Sequence, residues 1–217
     1  MAILGGTGKF GKGLALRLCG EHRVVLGSRS AERAKEAAAA CTRLAAGGGG
    51  AMEGADNREA VAASDVVVLA VKADTLEEFA RDAAGYAWEG KAVLSVATRM
   101  ERRDGVFYYR PFLDGGVEVS AAEYVQARLR GASVVSGMQM VPAARLADPA
   151  ARLGYDVPMA GERKAVDSVV AALECIEGLR FLYAGPLTLS RYLESSLPLL
   201  LNLAEKNGIK APGFRVA

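Results

Sequence analysis

The amino-acid sequence predicts an α/β fold, a doubly wound parallel sheet with a small α+β extension at its carboxyl end. Short apolar or β-branched runs alternate with Ala-rich or amphipathic stretches through the first half of the chain. Such alternation is typical of a parallel sheet covered by helices on both faces. After Pro142 the alternation gives way to two short strand signals and longer helical ones. With 217 residues, of which 51% are hydrophobic, the chain can bury a core without a disulfide or a metal.

The first half supplies the elements of the predicted parallel sheet. The predicted strands are residues 2–4, 24–26, 66–71, 92–96 and 133–136, with a weaker signal at 51–54 after a four-glycine run at 47–50. The predicted helices lie near residues 9–19, 31–46, 58–63, 76–84 and 121–129. Ser120 with Glu123, and Asp74 with Glu77, have the spacing of a helix-starting capping box.

The second half predicts a smaller unit. Strand signals at 156–160 and 180–184 flank a helix at 163–176, and a strongly apolar helix follows at about 189–207. Pro198 is expected to kink that last helix. Its leucines at 197, 199, 200, 201 and 203 are too apolar for a solitary surface helix, so they either cover the sheet or meet a second subunit. We therefore expect two domains, 1–141 and 142–217, the second completing a substrate cleft, and we expect a homodimer.

Charge and residue usage exclude several classes of protein. The chain has 27 basic and 25 acidic residues, which predicts neither a nucleic-acid partner nor an anionic membrane surface. No apolar run reaches the roughly 18 residues of a membrane helix, and no basic leader precedes the first strand, so a cytoplasmic protein is expected. Three widely spaced cysteines predict neither a redox pair nor a metal site. The single histidine, His22, lies in a polar turn, which argues against imidazole acid–base catalysis.

A glycine pattern follows the first strand directly. Gly6, Gly8 and Gly11 have the Gly-x-Gly-x-x-Gly spacing and open the first predicted helix. In a Rossmann-type fold these glycines permit the tight turn, the close approach of a pyrophosphate and the packing of helix on strand. The phosphate then lies on the free amides of the helix. A merely flexible turn is the alternative, but a strand before and a helix after favour a dinucleotide site.

The end of the second strand indicates which dinucleotide is bound. An NAD domain places an acidic residue there for the ribose hydroxyls, whereas this chain has Ser28, Arg29 and Ser30, with Arg33 one helical turn later and no carboxylate before Glu32. A hydroxyl and a guanidinium suit a phosphate dianion, so the pattern predicts NADP. The alternative is that Ser30 caps a helix beside a solvated arginine.

These motifs together resemble the NADPH:F-420 oxidoreductases, two-domain enzymes that pass hydride between NADP and an 8-hydroxy-5-deazaflavin coenzyme. The resemblance starts at residues 4–18 and 24–29 and continues in 142–145 (Pro-Ala-Ala-Arg), 156–158 (Asp-Val-Pro) and 178–180 (Gly-Leu-Arg). It ends in the stretch 184–202, so matches span nearly the whole chain.

The resemblance implies a set of binding residues and no catalytic side chain or metal. Thr7, Ser28, Arg29 and Arg33 would hold the 2′-phosphate, and the glycine turn would cradle the pyrophosphate. The residues implied for the turn are Gly6, Gly8, Lys9, Phe10 and Gly11; those bordering the nicotinamide are Val71, Ala73, Thr98, Met100 and Ala143; those on the substrate side are Gln139, Val141 and Pro142. Two ring cofactors can exchange hydride directly, so the protein supplies orientation and a dry cleft.

The chain departs from the family pattern on the substrate side alone. It has Lys72 where the family usually has proline, Thr98 and Arg99 where Val-Pro is common, and Gln139 where a His or Asn faces the deazaflavin. Met138 and Met140 flank Gln139 as core filling or as a pocket wall. An NADPH-dependent flavin or pterin reductase and a non-catalytic NADP-binding sensor therefore stay open as alternatives. The absence of any Tyr-x-x-x-Lys pair excludes a short-chain dehydrogenase.

Overall fold

A computed structural model describes residues 1–18, 20–45 and 52–216. Cys19, the glycine run at 47–50 and the predicted element ends at 46 and 51 lie outside those ranges. The strands are β1 (Ala2–Leu4), β2 (Val24–Ser28), β3 (Met52–Asp56), β4 (Val66–Leu69), β5 (Ala92–Ser95), β6 (Met100–Arg103), β7 (Val106–Tyr109), β8 (Phe112–Asp114), β9 (Val117–Val119), β10 (Ser133–Ser136), β11 (Tyr155–Gly161) and β12 (Leu179–Gly185). The helices are α1 (Lys9–Leu18), α2 (Ala31–Leu44), α3 (Asn57–Ala62), α4 (Leu76–Ala83), α5 (Ala121–Gln126), α6 (Ala143–Leu146), α7 (Arg163–Leu173) and α8 (Ser190–Asn207).

The main sheet has eight strands in the order β12-β11-β10-β5-β4-β1-β2-β3. From β3 to β10 every pair of neighbours is parallel, whereas β11 pairs antiparallel with β10 and parallel with β12. The chain moves outward from β1 in both directions, so the strand order reverses between β1 and β4. Ligands of such sheets bind outside the carboxyl ends of the strands at that reversal.

Helices cover both faces of the sheet, which confirms the doubly wound fold. One apolar cluster joins the sheet to α1, α2 and α7 through side chains such as Leu14, Cys41 and Val169. The other joins it to α3, α4 and α5 through side chains such as Val61 and Leu76. Strands buried between two layers need apolar residues at successive positions, and this is why continuous apolar runs predicted β1, β2, β4, β5 and β10.

The second half of the chain adds to the same sheet. β11 and β12 extend it beyond β10, and Val157, Met159 and Val166 share a core cluster with Ile3 and Leu14. The predicted α+β extension is thus present as two further strands with α7 and α8. A division into domains at residue 142 stays a prediction.

Two hairpins between β5 and α5 escaped the sequence analysis. β6 pairs with β7, and β8 pairs with β9. Their tight turns are Asp104-Gly105 and Gly115-Gly116, all four residues with positive φ. Both dipeptides are strong hairpin signals, so the information was present in the sequence.

Of the two predicted capping boxes, one is confirmed and one is wrong. The Ser120 hydroxyl accepts from the Glu123 amide at 3.0 Å, and the Glu123 carboxylate accepts from the Ser120 amide at 2.9 Å. The other pair fails because a 3₁₀ turn, Ala73–Thr75, precedes α4, which begins at Leu76 without a side-chain cap. Asp74 therefore lies inside that turn rather than at the start of the helix.

Helix α8 runs unbroken through Pro198. Its buried face consists of Ser190, Leu193, Glu194, Pro198 and Ala204. Leu199 and Leu203 are 60% and 50% exposed, so those leucines do not cover the sheet. Within the described ranges, no helix is long and apolar enough to cross a membrane.

Candidate dinucleotide-binding site

The predicted site residues lie in the five loops that follow β1, β2, β4, β5 and β10 at one edge of the sheet, or in the element ends beside those loops. Backbone hydrogen bonds connect neighbouring loops: the Gly6 amide donates to the Gly27 carbonyl at 3.3 Å, and the Gly137 amide donates to the Ser95 carbonyl at 3.3 Å. The predicted residues brought to this edge are Gly6, Thr7, Gly8, Lys9, Phe10, Gly11, Ser28, Arg29, Arg33, Val71, Ala73, Thr98, Met100, Gln139, Val141, Pro142 and Ala143.

The turn after β1 depends on a glycine that the spacing argument passed over. Gly5 has a φ of +76°, and a Cβ there would lie 2.5 Å from the carbonyl oxygen of Ala70. The Gly8 amide donates to the Gly5 carbonyl at 2.9 Å and closes the turn. The left-handed position is therefore Gly5 rather than Gly6, and this glycine also lets the β1 loop approach the end of β4.

Gly6 and Gly11 are required by packing. A Cβ on Gly6 would lie 2.8 Å from the carbonyl oxygen of Ile3, and a Cβ on Gly11 would lie 2.7 Å from the Cα of Gly6. α1 therefore begins in direct contact with the turn, as the glycine spacing predicted.

The amino terminus of α1 suits an anion. Thr7, Gly8 and Lys9 are exposed, and the first turn of the helix contains no acidic residue. Free amides and the positive end of the helix dipole therefore face the carboxyl edge of the sheet without a competing carboxylate from α1.

Basic and hydroxyl side chains follow β2. The Arg29 side chain is 80% exposed, and Arg33 is exposed in the first turn of α2. The Ser30 hydroxyl accepts from the Arg33 amide at 3.3 Å as the N-cap of α2. The alternative role proposed for Ser30 is therefore present, and it leaves Arg29 accessible.

Two carboxylates near this group were missed because the sequence argument followed β2 alone. Asp56 lies opposite Ser28 in the register of β2 with β3, where its side chain caps α3 by accepting from the Glu59 amide at 2.9 Å. Glu78, in the first turn of α4, lies 3.5 Å from a guanidinium nitrogen of Arg29.

The loops after β4 and β5 carry the departures from the family pattern. Lys72 is exposed, and the Thr98 hydroxyl oxygen is buried without a hydrogen-bond partner among the described residues. The Arg99 guanidinium pairs with Glu77 at 3.1 Å and stacks on the ring of Phe112 at 4.6 Å. A cavity of about 380 Å³ opens beside it; its lining residues are Asp74, Glu77, Arg99, Met100, Glu101, Arg110, Pro111 and Leu113.

The loop after β10 is largely buried. The Gln139 amide donates to the Ser136 hydroxyl at 2.6 Å. Met138, which adopts a φ of +69°, is 2% exposed, and Met140 is 6% exposed. The two methionines therefore fill the interior. Pro142 precedes α6, and half-buried Ala143 begins it.

Arg17, in the last turn of α1, fastens the segment that follows this loop to the helix. Its guanidinium donates to the carbonyls of Arg145 at 3.1 Å, Leu146 at 3.3 Å and Ala151 at 2.8 Å. Helix α1 thus begins at the glycine turn and, through its last turn, holds the segment that Ala143 begins. No sequence motif pointed to this role of Arg17.

Arg191 and Glu194 of α8 lie in the stretch that resembles the family, and both side chains bind the start of α5. Both oxygens of Glu194 accept from backbone amides, Ala121 at 2.8 Å and Ala122 at 3.1 Å, and the Tyr109 hydroxyl donates to one of them at 3.2 Å. Arg191 pairs with Glu123 at 2.8 Å. Burial raises the pKa of Glu194 to about 7, although these donors oppose the shift. The motif thus positions the β6–β7 hairpin, which borders the cavity.

His22 lies at the opposite end of the sheet. Its amide donates to the Leu18 carbonyl at 3.0 Å in the turn before β2. The five residues of β2 separate that turn from the site by about 16 Å at the usual rise per residue. The side chain that was excluded as a general acid is therefore remote.

Comparison with known proteins places the chain in a family. A family model described as NADP oxidoreductase, coenzyme F-420-dependent, matches residues 1–99. The F-420-dependent NADP reductase of Methanocaldococcus jannaschii is 33% identical over 100% of this chain and 97% of that protein. The chain belongs to the F-420-dependent NADP oxidoreductase family. The enzyme of the same name from Methanothermobacter thermautotrophicus is 30% identical over 100% of this chain and 94% of its own length.

Solved structures of relatives agree on the fold. A crystal structure from Arthrobacter sp. FB24, provisionally described as an F-420-dependent NADP reductase, superposes with a TM-score of 0.78 at 22% identity, covering 100% of this chain and 98% of that one. An imine reductase from Streptomyces aurantiacus gives 0.62 at 23% identity over 95% of this chain and 62% of that one. The sequence resemblance to this family and the predicted Rossmann-type fold are both confirmed.

Proposed function

We propose that this protein is an oxidoreductase that transfers hydride between NADP(H) and a planar heterocyclic coenzyme, the deazaflavin F-420. The observation that carries the proposal is the accessible start of α1 beside Ser28, Arg29 and Arg33. Full-length similarity to reductases named for both coenzymes supports F-420 as the hydride partner.

The glycine turn and the β2 loop would hold the nucleotide. The backbone of Gly6, Gly8, Lys9, Phe10 and Gly11 would cradle the pyrophosphate at the positive end of α1. The hydroxyls of Thr7 and Ser28 and the guanidinium groups of Arg29 and Arg33 would bind the 2′-phosphate through charge-assisted hydrogen bonds. Asp56, opposite Ser28 in the sheet register, caps α3 through one of its carboxylate oxygens.

The β4, β5 and β10 loops would border the nicotinamide. Val71 and Ala73 on one side and Thr98, Met100 and Ala143 on the other would orient the ring, while Gln139, Val141 and Pro142 would lie toward the second coenzyme. NADPH supplies the hydride when bound, and the protein fixes the two rings at reacting distance and keeps water from them. This chemistry needs no side-chain acid, which agrees with the remote position of His22.

One observation favours a second acceptor. Thr98 brings a buried, unpartnered hydroxyl to the carboxyl end of β5, beside Arg99 and not far along the sheet edge from exposed Lys72. These polar groups stand where the family has apolar ones. They would suit a flavin, which has a hydrogen-bonding nitrogen where the deazaflavin has a C–H group, or a pterin, whose ring carries a further amino group.

Turnover with three acceptors tests the proposal. NADPH oxidation is followed with F-420, with flavin mononucleotide and with a dihydropterin, each at the same concentration. We expect F-420 to be reduced with the highest kcat/KM. A preference for the flavin or pterin would support the second acceptor, and tight NADPH binding without turnover of any acceptor would indicate a sensor.

We further propose a cytoplasmic homodimer. The exposed Leu199 and Leu203, with Tyr192 at 69% exposure on the same face of α8, would pack against α8 of a second copy. Widely spaced cysteines suit the reducing conditions of the cytoplasm.

A further inference from the structure

The first turn of α4 places two adjacent carboxylates over the proposed cofactor site. Glu78 lies 3.5 Å from the Arg29 guanidinium, and Glu77 lies 3.1 Å from the Arg99 guanidinium. The two pairs lead to different loops, because Arg29 follows β2 and Arg99 follows β5. Glu78 therefore faces Arg29, one of the residues proposed to bind the 2′-phosphate, while Glu77 faces the cavity at the substrate side.

The pair of Arg29 with Glu78 spans the phosphate-binding turn. In the sheet, β1 lies between β2 and β4, and α4 follows β4. A contact between the β2 loop and the start of α4 must therefore pass over the loop that follows β1. Both side chains are accessible to a ligand there, at 80% and 51% exposure.

The chemistry of the pair makes Glu78 a competitor. Glu78 lies in the first turn of α4 with its side chain half exposed, within reach of the Arg29 guanidinium. A guanidinium binds an oxyanion best through parallel hydrogen bonds in one plane, so Arg29 cannot give its full set of donors to Glu78 and to a phosphate together.

We propose that Glu78 is a specificity-determining residue, an internal competitor of the 2′-phosphate for Arg29 that weakens NADPH binding relative to NADH. The inference rests on the proposed function, since it needs Arg29 to bind that phosphate. When the nucleotide leaves, Glu78 gives Arg29 an alternative partner. Because both groups are solvent-exposed, the competition is modest.

Binding of NADPH and NADH to Glu78→Gln tests the proposal, with Glu77→Gln as the matched control. Both substitutions remove one charge from the same helical turn, but only the first removes the partner of Arg29. We expect Glu78→Gln to tighten NADPH binding about two- to fivefold with NADH unchanged, an effect that shrinks at high salt. Glu77→Gln should leave the ratio of the two affinities as in the unmodified protein.

The Arg29→Ala background separates this inference from the proposed function. There, adding Glu78→Gln should no longer change the ratio of NADPH to NADH affinity. If Arg29→Ala weakens NADPH alone but Glu78→Gln weakens it, leaves it unchanged or acts no differently from Glu77→Gln, the competition is refuted while the phosphate assignment stands. If Arg29→Ala weakens both nucleotides equally, the phosphate assignment itself fails, and the inference with it.

Discussion

Arg29 extends from the end of β2 with its side chain 80% exposed, next to Ser28 and within one helical turn of Arg33. No acidic residue occupies the end of the strand, and the nearest carboxylate in the sheet register, Asp56, caps α3. An exposed guanidinium at this position can form planar, charge-assisted bonds to a phosphate. The proposed preference for NADP therefore rests mainly on this one side chain.

Replacing Arg29 with Ala should weaken NADPH binding about ten- to hundredfold, because a hydrogen bond to a charged group contributes about 1.5–3 kcal/mol. NADH binding should barely change, and calorimetric titration with both nucleotides measures the difference. Arg23→Ala is the control. Arg23 directly precedes β2, at the end of the strand away from the site, where it pairs with Glu53 at 2.7 Å, so its loss should leave both affinities unchanged. Equal losses for NADPH and NADH would contradict the assignment.

Ala143 is the small residue that begins α6 beside the proposed nicotinamide position. Ala143→Leu should lower turnover about a hundredfold, since small displacements of reacting rings are costly. The exposed neighbour Ala144 provides the control, and Ala144→Leu should be close to the unmodified enzyme. His22→Ala should change turnover by no more than about twofold, whereas loss of a general acid would lower the rate by a factor of roughly 10²–10⁴. A fully active Ala143→Leu variant would place the cleft elsewhere.

Elements with strong local signals were predictable, and those that depend on context were not. The buried strands β1, β4 and β5 needed uninterrupted apolar residues, and the Ser120 cap needed one hydroxyl at the right spacing. The start of α4 could not be read from Asp74, because a 3₁₀ turn and an ordinary cap have the same sequence spacing there. Gly5 was passed over because its left-handed φ follows from the contact of its loop with β4.

The contact of Glu194 in α8 with the start of α5 makes a pH-dependent contribution to stability. The pKa of Glu194 is raised from 4.5 to about 7, so between those values the folded state binds more protons than the unfolded one. The stabilisation that Glu194 contributes is fully present below about pH 4.5, falls as the pH rises toward 7 and is then constant. The change amounts to roughly 3 kcal/mol at most.

Glu194→Gln should remove this dependence. Denaturant unfolding of the variant and the unmodified protein at several pH values between 5 and 8 gives their difference in free energy, which should shift in favour of the variant as the pH rises. Glu123→Gln, in α5, is the control: Arg191 and the Ser120 amide hold the pKa of Glu123 below its usual value of 4.5, so the stability that this carboxylate contributes changes only at lower pH, and this variant should show little trend between pH 5 and 8. A difference between Glu194→Gln and the unmodified protein that does not vary with pH would contradict this account.

At the scale of the whole molecule, the layers of the fold are predictable from the sequence, but the pairing that joins β11 and β12 to the parallel sheet is not. The antiparallel pairing of β11 with β10 is a long-range contact that neither strand signals by itself. The loops of the candidate site are predictable from the sequence, because the carboxyl ends of parallel strands lie at one edge of the sheet. Arg17 and Glu78 were missed because they act across loops distant in sequence.

The exposed face of α8 should hold two copies of the chain together. Leu199→Glu with Leu203→Glu should convert a dimer to a monomer in sedimentation at micromolar concentration, since charged residues would replace the apolar contact. Leu113→Glu, a change at another exposed leucine in β8, should leave the dimer intact. A monomer in the unmodified protein would rule out this assembly.

Direct hydride transfer is the central claim, and isotope transfer measures it. The protein is incubated with NADPH deuterated at the reacting position of the nicotinamide and with F-420, and the reduced deazaflavin is analysed by mass spectrometry. We predict that the deuterium moves to F-420 without dilution by solvent protons, because the two rings react face to face in a site closed to water. The proton that completes the reduction goes to a ring nitrogen and exchanges with solvent, so the test concerns the carbon-bound hydrogen alone. Reduced F-420 without deuterium on its hydride-accepting carbon, or NADPH that binds and leaves F-420 oxidised, would contradict the claim.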